Sequence, residues 1–148
     1  MKMPAAAALC LALAACGGPP PPPPPTAVTL TLAASPGMNG GLPAQVKVYW
    51  LRSAQRFEGA DFFALFGEPE ATLGPDLVAV DVHLLAPGET VEAVKTFDPP
   101  AATPAVVGVV AGFRDVDRPG WSATAPLTPN APNARAVALG PAAVSFAD

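Results

Sequence analysis

Charge is scarce in this chain of 148 residues: only 14% are Asp, Glu, Lys or Arg. Beyond Lys2, the basic residues Lys47, Arg52, Arg56, Lys95, Arg114, Arg118 and Arg135 are scattered and form no cluster. A nucleic-acid partner needs a basic stripe to displace counterions from phosphates, so that class is excluded. A polybasic membrane contact is excluded on the same ground, and any attachment to a bilayer has to come through lipid. Histidine occurs once, at His83, and cysteine twice, at Cys10 and Cys16. No apolar run is long enough to cross a bilayer as a helix: the longest near the start, residues 5–15 (AAAALCLALAA), has 11 residues.

That short run is nonetheless informative. Lys2 precedes it, and Leu13-Ala14-Ala15-Cys16 ends it. A charged start, a short apolar stretch and small residues before a cut describe a secretory signal peptide. With a cysteine just after the cut, the segment resembles the lipobox of bacterial lipoproteins. The resemblance implies cleavage before Cys16, acylation of Cys16, and a signal peptide over residues 1–15. An ordinary secretory signal with an incidental cysteine is the competing reading. Gly17 follows, where Asp would favour inner-membrane retention, so the resemblance points to the outer membrane. Several acyl chains, each contributing about 0.8 kcal/mol per buried CH₂, anchor stably where one does not. Cys10 leaves with the leader, so the mature chain is expected to keep no free thiol, disulfide or thiolate catalyst. Loss of Lys2 takes the formal charge from −4 to −5.

Residues 16–25 then form a Gly/Pro-rich tether: Gly17-Gly18 and seven consecutive prolines. Such a run joins neither helix nor ladder and adopts an extended polyproline II rod. At about 3.1 Å per residue it reaches roughly 20 Å. Its place between lipid and domain suits a spacer; a Pro-rich ligand for a recognition domain is the alternative.

Residues 26–148 suffice for one compact domain. Hydrophobic residues make up 51% of the whole chain, which argues against disorder. Residues 26–33 alternate, with Val28, Leu30 and Leu32 on one face; residues 45–52 place Val46, Val48 and Trp50 against Lys47, Tyr49 and Leu51. Both predict half-buried strands. Ser53 is a candidate N-cap for a helical insert over residues 53–67, interrupted at Gly59 and rich in Phe57, Phe62, Phe63 and Phe66. These aromatics are expected to pack the insert onto the sheet, with a partner groove as the alternative. Further along, Val78, Val80, Val82 and Leu84 are read as one face, opposite Ala79, Asp81 and His83. Residues 105–114 form an apolar run suited to a central strand covered on both faces. Residues 90–97, 121–125, 134–139 and 142–146 complete seven or eight strands, with prolines mostly between them, and so predict an all-β sandwich.

Little in the domain suggests chemistry. His83 has only Asp81 on its own face and reads as an exposed strand residue. Asp115-Val116-Asp117 opens like a calcium loop, but Arg118-Pro119-Gly120 follow instead of oxygen ligands, which makes a polar turn. No serine sits in a Gly-x-Ser-x-Gly elbow, and no glycine pair precedes a phosphate-binding helix. Neither catalysis nor a cofactor is expected.

Several segments, in order, carry a family resemblance. They are Val46-Lys47-Val48-Tyr49-Trp50-Leu51 running into Ser53-Ala54 and Phe57; Ala60-Asp61-Phe62-Phe63-Ala64-Leu65; Leu73-Gly74-Pro75-Asp76-Leu77; Leu85-Ala86-Pro87-Gly88-Glu89; and Gly108-Val109-Val110-Ala111-Gly112-Phe113-Arg114-Asp115. Together they resemble the TssJ (VasD/Lip) outer-membrane lipoproteins of type VI secretion systems. The resemblance implies a transthyretin-like β-sandwich with a small helical insert, tethered to the outer membrane and facing the periplasm. It implies binding to the periplasmic domain of the IcmF-like inner-membrane protein TssM, in a trans-envelope complex that also holds TssL. The family's contact loop follows the first strand. Here that is residues 35–44, with Gly37, Met38, Asn39, Gly40 and Gly41 as candidate contacts by position. A seven-proline tether departs from the family's polar linker. A small-molecule- or peptide-binding envelope lipoprotein remains the alternative, and an envelope hydrolase dependent on His83 is a third reading.

Overall fold

The structure, a computed structural model, describes residues 16–148; the expected signal peptide lies outside them. Residues 16–25 are exposed and make no regular hydrogen-bonded structure. They lead straight into β1 (Thr26–Ala34), followed by β2 (Ala44–Leu51) and three short helices, α1 (Gln55–Gly59), α2 (Phe62–Gly67) and α3 (Pro69–Leu73). Then come β3 (Leu77–Leu85), β4 (Thr90–Phe97), β5 (Val106–Ala111), β6 (Ser122–Pro126), β7 (Pro132–Leu139) and β8 (Val144–Phe146). The eight strands form two four-stranded sheets, ordered β4-β1-β7-β8 and β3-β2-β5-β6. Their pairings are antiparallel except β1 with β7, which runs parallel.

The inner faces meet in one core. Val28, Leu30 and Leu32 of β1 oppose Val46, Val48 and Trp50 of β2, with Val107 and Val109 of β5 beside them. The alternation read in β1 is the alternation found. β2 differs, because its other face is not solvated. Tyr49 and Leu51 are fully buried, together with Val110, beneath Phe57, Leu65 and Leu73 of the helices. A strand read as half-buried is therefore covered on both sides, and β5 beside it is covered as expected.

The helices are short, so tertiary packing rather than propensity holds them. Asp61 caps α2, its carboxylate accepting from the Ala64 N–H at 2.9 Å. Phe62 and Phe66, one turn apart, stack at 4.9 Å, and Phe62 meets Trp121 edge-on. Phe57 sits edge-on to Tyr49, and a Cβ on Gly108 beneath it would lie 2.8 Å from its ring. Glycine in β5 leaves the room Phe57 fills. Phe63 alone of the four points to solvent. The insert extends past residue 67 to α3 and a 3-10 turn, Gly74–Asp76. Five-residue α3 is too short to show a period, so sequence patterning missed it.

β3 corrects a second expectation. Val82 and Leu84 are exposed, at 52% and 71%, whereas Asp81 and His83 are half-buried on the side facing the other sheet. The cause is a bulge. Trp50 pairs with Ala79 and Leu51 with Leu77, so Val78 is one residue too many. Val78 and Ala79 both pack on the main core, and the inside-outside phase reverses from there on. His83 is thus not on the solvent face.

Candidate functional site

β1 enters from residues 16–25 at Thr26, paired with Phe97 and close to Pro132, and leaves at Ala34 beside Leu139. Nine residues at about 3.3 Å each separate these ends by roughly 30 Å. Strand directions bring four connections to the far end: residues 35–43, 86–89, 112–121 and 140–143. The expected contact loop therefore lies at the end opposite residues 16–25.

Met38 and Asn39 are buried in this structure. The Met38 side chain is fully buried in the main core and pins the loop down. Asn39 is 8% exposed and spends its polar atoms internally. Its Oδ1 accepts from the Arg114 N–H at 2.7 Å, its Nδ2 donates to the Pro43 carbonyl at 3.0 Å, and its backbone N–H donates to the Pro141 carbonyl at 3.0 Å. The Asn39 side chain thus ties the β1–β2 connection to the β5–β6 connection, and its backbone N–H adds the β7–β8 connection. Asn39, Gly40 and Gly41 run at φ of 52°, 64° and 83°, a left-handed stretch that only Gly and, less readily, Asn adopt cheaply. Gly37, Gly40 and Gly41 remain exposed, joined by Leu42 at 44% exposure.

Between the three connections is a cleft of about 400 Å³. Asn39 and Gly40 form one wall, Pro141 and Ala142 another, and Phe113 with Arg114 a third. Asp115 and Arg118 sit at its rim, bridged at 3.1 Å, in the polar turn expected there. Sequence reading did not bring Phe113, Arg114, Pro141 and Ala142 together around this cleft. Only the abrupt end of the β5 apolar run at Arg114 hinted at them.

A second polar cluster lies at the sandwich's open edge. Lys95 of β4 donates to both Asp81 oxygens, at 2.7 and 2.8 Å, and Trp50 Nε1 donates to Asp81 at 2.7 Å. Partial burial alone would raise the Asp81 carboxyl; the bonds from Lys95 and Trp50, with the charge of Lys95 and a smaller pull from His83, hold it below its ordinary value. This pair joins the edge strand of one sheet to that of the other. Beneath the helices, burial, with Glu70 nearby adding to it, pushes the Tyr49 hydroxyl far up, and it donates to the Leu65 carbonyl at 2.7 Å. Among the described residues no group of three or more His, Cys, Asp or Glu could hold a metal ion, and no helix is long and apolar enough to cross a membrane. Cys16 is free and exposed.

Residues 26–142 match the family described as "Type VI secretion lipoprotein, VasD, EvfM, TssJ, VC_A0113". The chain belongs to that family. Among solved structures, the lipoprotein is similar to the type VI lipoprotein TssJ1 from Pseudomonas aeruginosa, at 32% identity over 84% of this chain and 96% of that one, with a TM-score of 0.76. Lip from Serratia marcescens, a membrane-bound component of the type VI secretion system, shares the fold at 23% identity, covering 82% and 97%, with a TM-score of 0.72. So does a chain in the structure described as the TssM C-terminal domain (869-1107) from EAEC, at 24% identity, covering 82% and 98%, with a TM-score of 0.65. Comparison with curated proteins finds no match. The all-β sandwich with a small helical insert is thus common to this type VI lipoprotein and its relatives.

Proposed function

We propose that this lipoprotein is a structural bridge of the type VI trans-envelope complex, acylated at Cys16, anchored in the outer membrane and facing the periplasm. In this reading it binds the periplasmic domain of the IcmF-like protein TssM, in a complex that also holds TssL, and catalyses nothing. The observation that carries it is polarity: an exposed tether enters one end of the sandwich and a cluster of loops with a cleft occupies the other. An anchored protein that must reach a partner across the periplasm needs its contact surface away from its anchor. An exposed Cys16 at the head of residues 16–25 and the family membership support the two remaining parts.

Deleting the protein should abolish effector secretion, and capture of the lipoprotein from solubilised envelopes should retrieve the IcmF-like protein. Replacing Cys16→Ser should release the chain from the membrane fraction and impair secretion. Normal secretion by the deletion strain, or membrane retention of Cys16→Ser, would sink the reading. The cleft also suits a small ligand, at the low end of the roughly 300–1,000 Å³ typical of such sites. A ligand co-purifying with the chain and raising its Tm would favour that second reading.

A further inference from the structure

We infer that the cleft at the far end receives an apolar side chain of the partner flanked by a carboxylate, and that Arg114 is the cation which pairs with that carboxylate. This rests on the reading that the far end binds the IcmF-like protein and adds the chemistry of the segment bound.

The floor and walls are apolar: Phe113, only 3% exposed, with Pro141 and Ala142 opposite. An apolar cleft that a partner side chain fills and dries on binding is where the anchor residues that dominate interfaces sit. Volume limits the guest to one or two side chains. Charge sets the rest. Two arginines and one aspartate line the cleft, and the carboxylate is committed, Asp115 bridging to Arg118. Among the described residues no carboxylate lies within ion-pairing distance of Arg114, and its backbone is fixed by the bond from its N–H to Asn39. The cleft therefore carries one uncompensated positive charge on a held backbone, in a domain that is otherwise net negative. A carboxylate beside an apolar residue complements it, and an Arg fork is suited to grip that group at two points.

Asn39 has a different part. Its side chain is consumed in joining the β1–β2 and β5–β6 connections, so it is a positioning residue that shapes the cleft and does not reach the partner.

The test titrates the full-length lipoprotein, in detergent, against the detergent-solubilised IcmF-like protein. Ala142→Trp fills the cleft and should weaken binding at least about a hundredfold, whereas Arg114→Glu should weaken it roughly thirtyfold or more and Arg114→Lys much less. Wild-type affinity should fall with added salt, and that slope should flatten in Arg114→Glu. Val94→Glu, on the outer face of β4, should bind like wild type, and melting curves should show all four variants folded. Asn39→Ala should lower the melting temperature along with affinity, while stabilising osmolyte should restore part of its binding and none of the Ala142→Trp loss. Wild-type-like binding by both Ala142→Trp and Arg114→Glu overturns the inference and leaves the partner assignment standing. Failure of the wild type itself to bind overturns the partner assignment and the inference together.

Discussion

The two sheets are built from similar strands but face different surroundings. The β4-β1-β7-β8 sheet buries only its inner side; its outer side carries small and polar residues such as Thr29, Thr31, Ala134 and Ala136. The β3-β2-β5-β6 sheet is roofed over β2 and β5 by the helical insert, and a second core forms there. The difference teaches what the insert is for. It lets the middle of one sheet be apolar on both faces, so Tyr49, Leu51 and Val110 gain burial that the corresponding face of β1 never has.

Removing the roof's main anchor should have the largest effect. Phe57→Ala empties a site that is 2% exposed and should cost about 3–5 kcal/mol in chemical denaturation. A loss below about 1 kcal/mol would mean the insert is only loosely seated. Adding bulk beneath the same ring comes next: Gly108→Val forces Phe57 aside and should cost about 1–3 kcal/mol. Tyr49→Phe keeps the ring but leaves the Leu65 carbonyl without its donor, a loss of about 1 kcal/mol. Hydrogen exchange should then quicken in α2 while β1 amides stay protected.

The Asp81–Lys95 pair gives a smaller, pH-dependent effect. Because the folded carboxyl titrates below its unfolded value near about 3.9, its stabilisation is present above that pH and lost as pH falls through the folded value. Both side chains are about one-third exposed, at 34% and 31%, so solvent screening keeps the term modest. Asp81→Asn should lower stability at neutral pH and shallow the acid limb of the stability profile; an unchanged acid limb would show that other carboxylates set it. Least should happen on the bare face, where Thr31→Val should stay within about 0.5 kcal/mol.

How much of this was legible follows from which signals are local. β1 shows a clean period of two and was read with its correct face. The aromatic insert was visible because Gly59 and Asp61 punctuate it and the Phe residues crowd into ten positions. β3 was misread although its alternation is just as regular, because an extra residue at Val78 reverses the phase and nothing in Val-Ala-Val-Asp marks the bulge. The site was legible only by position. Gly40 and Gly41 announced an unusual backbone, but whether Asn39 points outward or locks three connections depends on Pro43, Arg114 and Pro141 being near it.

The chain alone pointed to its class and, through the resemblance of its ordered segments, to its family: scarce scattered charge, a run of seven prolines and alternating apolar strands are matters of residue chemistry and short-range spacing. Only tertiary structure decided that Met38 belongs to the core, that His83 turns inward, and that Phe113, Arg114, Pro141 and Ala142 enclose one cleft. Those facts depend on contacts between segments up to about a hundred residues apart, which folding creates and no local pattern encodes.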